Sequence, residues 1–78
     1  MESFAAQAIY TQHSLGIDAA RMNRRGGMLA IGHPIGASGA VLIGNLFLEL
    51  QKEPRGSLGL AAIPAAGGLG SAMLLRKP

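Results

Sequence analysis

Apolar residues recur at helical spacing in the first part of the chain. Ala8 lies four positions after Phe4 and three positions after Ala5, so that these residues fall on one face of a helix. This pattern predicts a helix over residues 2–14. The following Gly16 is a candidate for the left-handed residue that ends this helix.

The middle of the chain alternates between apolar runs and loop residues. After the first helix, Asp18 is a candidate cap for a short turn. Residues 28–31 are apolar throughout, which predicts a short strand covered on both faces. A second helix is predicted from residue 37 or 38 to Lys52, and its almost uniform apolarity indicates burial on most sides. Pro54 and Gly56 are expected to end it.

Two further apolar runs follow the second helix. Residues 58–63 and residues 71–75 are strand candidates, and the glycine-rich residues 64–70 form a turn between them. Strands joined by so short a turn should pair antiparallel. The predicted order is helix, strand, helix, strand, strand, which is an α/β arrangement. Residues 76–78 are expected to be a solvated end.

Residues 56–75 also allow a different interpretation, because they carry no charge and have about the length of a membrane span. Pro64 and five glycines interrupt the segment, so two strands explain it better than a membrane helix. The first residues lack the basic and apolar regions of a secretory signal. We therefore expect a cytoplasmic or organelle-matrix location and no membrane partner.

Composition bounds the size and the chemistry of the chain. Its 78 residues permit one small domain at most. Nearly half of the residues are apolar (49%), few are charged (14%) and 12 are glycine, which suits the interior of a larger α/β protein. The net charge of +3 is scattered, and three aromatic residues offer few stacking platforms. Nucleic acid is therefore not an expected partner.

The most informative stretch for chemistry is the turn at residues 32–39, which contains His33. Imidazole titrates near neutral pH, so a histidine held in a turn after a strand is a candidate for proton transfer. Pro34 fixes one backbone angle next to it. The glycine spacing does not fit either phosphate-binding pattern. Ser38 fits a helix start better than a nucleophile, and His13 is expected to be a solvated helix residue.

Four features together resemble a known family. The turn at residues 32–39 reads Gly-His-Pro-Ile-Gly-Ala-Ser-Gly, and Asn23 with Gly26-Gly27 precedes it. Residues 2–7 and residues 67–70 supply the other two features, a helix start and a glycine loop. In this combination the chain resembles the C-terminal end of thiolases, the acyl-CoA-dependent Claisen and retro-Claisen enzymes. The resemblance covers essentially all 78 residues.

The resemblance implies roles for particular residues. His33 matches the histidine that activates the family's nucleophilic cysteine and helps to hold the thioester oxygen. The backbone N–H of Ala66 matches an oxyanion-hole donor, a group that stabilises the charge developing during acyl transfer. Phe4, Gly32 and Gly67 fall at substrate-binding positions. The substrates implied are acyl-CoA and CoA, and neither a cofactor nor a metal is expected.

The chain also departs from the family pattern. Pro64 stands where the family has its second catalytic cysteine, which shuttles the α-proton, and proline has no ionisable group. Met1 falls on the asparagine that orients a water molecule, and Ala66 replaces a glycine. The nucleophilic cysteine belongs to the N-terminal half of the family. We therefore expect the chain to be inactive by itself.

The family's fold implies that residues 1–78 form an incomplete part of a three-layer domain. Each thiolase half has strand order 3-2-1-4-5, and this chain would supply only the second helix and strands 3, 4 and 5. The strand at residues 28–31 would then have no neighbour, and unpaired buried backbone groups cost about 1–3 kcal/mol each. The chain is expected to be poorly folded, to aggregate or to need a partner that supplies the missing part.

Three functions remain open. The chain is either the C-terminal part of a thiolase-type acyltransferase that needs an N-terminal half, or an inactive thiolase-like module that docks on a full-length relative. The third alternative is a small membrane-associated peptide that uses residues 56–75. The first two both require a thiolase partner, and only the first includes catalysis.

Overall fold

Helix α1 runs from Ala5 to Leu15 in a computed structural model that describes residues 1–78. It confirms the predicted first helix but begins three residues later, because Phe4 is extended and serves as its N-cap. Gly16 ends the helix in the left-handed conformation with φ 62°, as predicted. The Asp18 cap is also confirmed, since its carboxylate accepts a hydrogen bond from the Ala20 N–H at 2.9 Å.

Residues Met28–Ile31 form one helical turn, α2, so the predicted strand is wrong. The Ala30 N–H donates to the Gly27 carbonyl at 3.0 Å, and the Gly32 N–H donates to the Met28 carbonyl at 2.9 Å. A strand would need a neighbour to pair these groups, whereas a helical turn pairs them locally. An apolar run of four residues does not distinguish the two structures. The expectation that His33 follows a strand is therefore also wrong, since the preceding element is helical.

Helix α3 spans Ser38–Leu50 and confirms the predicted second helix, although it ends before Lys52. Its expected burial on most sides is wrong. Leu50 is 6% exposed, whereas Phe47 is 56% exposed. Apolarity all round a helix predicts burial only if other elements cover every side, and within residues 34–78 only one sheet face lies against α3.

Strands β1 (Leu58–Ala65) and β2 (Leu69–Arg76) pair antiparallel, which confirms the predicted hairpin. The register runs from Leu58 opposite Arg76 to Ala65 opposite Leu69. Both strands are longer than predicted, and Pro64 lies within β1, opposite Gly70, rather than in the turn. A turn of 3₁₀ helix at Ala66–Gly68 joins the strands.

One face of the hairpin packs against α3. A glycine at position 59 lets the helix come close, because a Cβ there would lie 2.6 Å from Leu46 Cδ1 and 3.2 Å from Leu50 Cδ1. The opposite face is uncovered, with Leu60 61% exposed and Leu74 62% exposed. The hairpin therefore presents apolar side chains on both faces but buries only one of them.

The chain terminus is not simply solvated, so that prediction is wrong for Lys77. Its ammonium group donates to the carbonyls of Gln51 and Glu53, each at 2.7 Å. These carbonyls follow the last turn of α3, where helices leave acceptors unpaired and cations are favourable. Lys77 thereby ties the end of β2 to the end of α3.

The structure divides into two compact units, Met1–His33 and Pro34–Pro78. The first holds α1 and α2, and the second holds α3 and the hairpin. This is a small α/β segment with a two-stranded antiparallel sheet. The three-layer arrangement that the family resemblance implies stays a prediction.

None of the helices has the length and apolarity needed to cross a bilayer. The uncharged residues 56–75, which gave rise to the membrane alternative, lie mostly in the two strands of the hairpin. A helical, bilayer-inserted form of this segment is therefore not favoured.

The close packing at Gly59 can be tested with two glycine-to-alanine substitutions, one at position 59 and one at an uncrowded position of α3. Gly59→Ala should destabilise the second unit by about 1–3 kcal/mol, because the added methyl overlaps two leucine side chains. Gly44→Ala, at an α3 position where a Cβ meets nothing within 4 Å, should stabilise it by about 0.5–1 kcal/mol. Amide hydrogen exchange of the hairpin measures both. Equal effects of the two substitutions would contradict the close approach of helix and strand.

Candidate functional site

The turn that carries His33 begins at the end of α2. Gly32 caps α2 with φ 89°, a value that L side chains rarely adopt, so glycine is required there by its conformation. His33 follows at once and is exposed. Gly32 therefore sets the backbone conformation directly before His33, while the catalytic role of His33 stays a prediction.

The other half of the motif starts α3 in the second unit. The Pro34 carbonyl accepts hydrogen bonds from the N–H groups of Ala37 and Ser38, each at 2.8 Å, and from the Ser38 hydroxyl at 2.9 Å. Ser38 is buried. Because its hydroxyl is used to close this turn, the structure agrees with the interpretation of Ser38 as a helix-start residue.

The glycine loop forms the hairpin turn. Ala66 starts the 3₁₀ turn, and Gly67 and Gly68 follow with φ 77° and 76°. A Cβ at Gly67 would meet no atom within 4 Å, so its requirement for glycine comes from the backbone angle and not from lack of space. Pro64 precedes this turn by two residues within β1.

The predicted site residues fall into two groups. Phe4, Gly32 and His33 belong to the first unit, in which Phe4 is an exposed N-cap residue. Pro64, Ala66 and Gly67 belong to the second unit and lie close together because they are near neighbours in sequence. Each group lies within one unit. The roles that the family resemblance assigns to these residues stay predictions.

An apolar groove of about 240 Å³ lies in the second unit. Leu42 and Ile43 of α3 form one wall, and Ile63 and Met73 of the hairpin form the other. The small residues Gly39 and Ala61 leave the space between them. The groove contains almost no polar groups, so it offers contact area and no catalytic chemistry.

Sequence reasoning missed one functional candidate, Glu2. Its carboxylate accepts a hydrogen bond from Asn23 Nδ2 at 2.7 Å and another from the Leu29 N–H at 3.3 Å. The partners lie 21 and 27 residues away in the chain, so no local spacing could have indicated them. Burial lowers the pKa of the nearby Met1 amino group, and the Glu2 carboxylate partly offsets this by raising it.

Comparison with known proteins assigns the family. A model described as "Thiolase, C-terminal domain" matches residues 1–77. The acetyl-CoA acetyltransferase of Paracoccus denitrificans is 44% identical over 77 residues, covering 99% of this chain and 19% of that protein. The peroxisomal 3-ketoacyl-CoA thiolase of Saccharomyces cerevisiae is 41% identical over 76 residues, covering 97% and 18%. The acetyl-CoA acetyltransferase of Rhizobium meliloti is 47% identical over 77 residues, covering 97% and 19%.

No solved structure matches the chain. The chain belongs to the thiolase family and corresponds to its C-terminal domain. It spans about a fifth of the length of the curated relatives it matches. The resemblance stated from the histidine turn is thereby confirmed.

The hairpin turn allows a test of the backbone around Ala66. Gly67→Ala should destabilise the hairpin by roughly 1–2 kcal/mol, because an L side chain is strained at φ 77°. Gly70→Ala is the control, since a Cβ there makes an ordinary contact at 3.5 Å with the Ile63 carbonyl. Amide exchange across β1 and β2 reports the difference. A larger loss for Gly70→Ala would be inconsistent with this turn geometry.

Proposed function

We propose that this chain is the C-terminal part of a thiolase-type acyltransferase and acts together with a thiolase portion that carries the nucleophilic cysteine. The observation that carries the proposal is the family match over nearly the whole chain, combined with coverage of only about a fifth of its relatives. The chain contains no cysteine, so it cannot form an acyl-cysteine intermediate by itself.

The exposed apolar surface supports a partner of this kind. Met28 and Leu50 are the only buried apolar residues, at 3% and 6% exposure. Leu58, Leu60 and Leu74 remain exposed on the uncovered hairpin face. Several exposed leucines on one face of a sheet are typical of protein–protein contact. Because the relatives are about five times longer, the occupant proposed for this face is the preceding part of a thiolase.

The proposed chemistry begins with His33. Its imidazole takes the proton of the partner's cysteine thiol, and the resulting thiolate attacks the thioester carbonyl of acyl-CoA. The Ala66 N–H donates a hydrogen bond to the oxygen of the tetrahedral intermediate. The C–S bond to CoA then breaks, and CoA leaves as a thiol after protonation. Phe4, Gly32 and Gly67 border the acyl substrate.

Pro64 divides this activity into two parts. Acyl exchange between a CoA thioester and the cysteine requires no proton to leave the α-carbon of a substrate. Condensation of two acetyl-CoA molecules does require it, and proline has no group that accepts a proton. The proposed complex therefore exchanges acyl groups with free CoA but does not condense them.

A reconstituted complex tests the proposed function. The acetyl-CoA acetyltransferase of Paracoccus denitrificans, truncated to remove the matching segment, is co-expressed with this chain. The complex should exchange labelled CoA into acetyl-CoA, and His33→Ala should lower the rate about 10²–10⁴-fold, as for loss of a general base. His13→Ala is the control. Pro64→Cys should add condensation of acetyl-CoA.

An inactive interaction module is the second candidate, and Pro64 is the observation that favours it. Proline in β1 retains the hairpin while it removes an ionisable group. A stable complex that neither exchanges CoA nor gains condensation with Pro64→Cys would replace the acyltransferase proposal with this one. Absence of any complex would contradict both.

The docking surface makes a separate prediction. Leu60→Lys with Leu74→Lys places two charges on the uncovered hairpin face and should weaken binding of the truncated relative by at least about tenfold, since two apolar contacts are lost. Leu15→Lys, on an exposed residue of α1, is the matched control. Sedimentation of the mixture measures binding. Unchanged binding by the double variant would show that the partner does not bind at this face of the hairpin.

A further inference from the structure

The Glu2 carboxylate joins three separate parts of the first unit. Oε1 accepts from Asn23 Nδ2 at 2.7 Å, and Oε2 accepts from the Leu29 N–H at 3.3 Å. A Cβ placed on Gly27 would overlap the same carboxylate. Glu2 is half-buried, as are Asn23 and Gly27. These contacts are here called the Glu2 clasp, comprising Glu2, Asn23, Gly27 and Leu29.

The clasp connects chain segments that are next to the predicted site residues of this unit. Glu2 is two residues before Phe4, the N-cap of α1. Leu29 lies in α2, whose last residue is separated from His33 only by Gly32. A hydrogen bond between these segments therefore limits how far the start of α1 and the end of α2 can move apart.

Each partner is suited to this contact. Leu29 is in the first turn of α2, where backbone N–H groups have no acceptor within the helix, so the carboxylate supplies one. Asn23 has φ 48°, a left-handed conformation in which asparagine and aspartate are enriched. Gly27 leaves the space that the carboxylate occupies.

We infer that Glu2 is a positioning residue, whose carboxylate holds the α2 turn and thereby orders His33 relative to the start of α1. An effect of Glu2 on acyl transfer rests on the proposed function. The ordering of His33 by Glu2 is a property of the first unit alone and does not depend on that function. Glu2 touches no reacting atom in this role.

The direction of the hydrogen bonds permits a rescue experiment. In Glu2→Ala the side chain loses both acceptor oxygens, so neither Asn23 nor the Leu29 N–H has its acceptor. Asn23→Asp removes the donor and brings two carboxylates together. In the double variant Glu2→Gln with Asn23→Asp, the introduced glutamine N–H donates to the introduced aspartate, while the glutamine oxygen accepts from Leu29. Both contacts are then restored with the charge of the original pair.

Two NMR measurements on the 78-residue chain decide the inference. Hydrogen exchange of the Leu29 amide should accelerate at least tenfold in either single variant and return to within about twofold in the double variant, since opening of one contact controls it. The His33 imidazole signals should report greater picosecond-to-nanosecond motion in the single variants and recovery in the double variant. Glu53→Gln, in the second unit, controls for the loss of one charge.

Several outcomes overturn the inference. An unprotected Leu29 amide in the unaltered chain would contradict the Glu2 clasp, and His33 motion unaffected by Glu2→Ala would contradict the positioning role of Glu2. If His33 were as mobile in the double variant as in the single variants, the specific hydrogen bonds of Glu2 would not be what orders His33.

The reconstituted complex separates this inference from the proposed function. If the unaltered complex exchanges CoA, Glu2→Ala should lower kcat more than it raises KM, and the double variant should recover kcat. Absence of exchange by the unaltered complex refutes the proposed function, while the His33 measurement still decides the positioning role. Full kcat in Glu2→Ala refutes the positioning role and does not affect the proposed function.

Discussion

The close contact between α3 and β1 is the constraint on which the second unit depends. Leu46 and Leu50 reach the strand only because position 59 carries no side chain. This contact covers one face of a two-stranded sheet and leaves Leu60 and Leu74 on the other. Apolar burial grows with the number of layers, so one helix on one hairpin yields a very small core. Many of the remaining large apolar side chains stay exposed.

Hydrogen bonding of buried polar groups is much more complete in this chain than burial of apolar side chains. No buried side-chain nitrogen or oxygen lacks a hydrogen-bond partner. The helix ends are paired by Gly16, by Lys77 and by the Glu2 clasp. Hydrogen bonds can be completed between a few residues, whereas removing apolar area from water requires extended surfaces. A segment of a larger domain can therefore keep its local structure without a complete core.

Pro64 combines a structural role in the hairpin with a side chain that has no ionisable group. Proline lacks an N–H, but it is tolerated in a strand with an open edge, and here it stays in register opposite Gly70. Its side chain cannot accept or donate a proton. The residue thus preserves the strand that precedes the turn at Ala66 and Gly67, and the proposed lack of condensation depends on this position.

The sequence by itself determined the features that depend on neighbouring residues: the first helix and its Gly16 cap, the Asp18 cap, the antiparallel hairpin, and the histidine turn that identified the family. Tertiary structure decided the rest. Residues 28–31 became a helical turn because no strand lies beside them, and α3 stayed half exposed because only one face is covered. Glu2 and Lys77 acquired partners more than 20 residues away. Such contacts leave no periodic signal, because they arise only when distant segments meet in space.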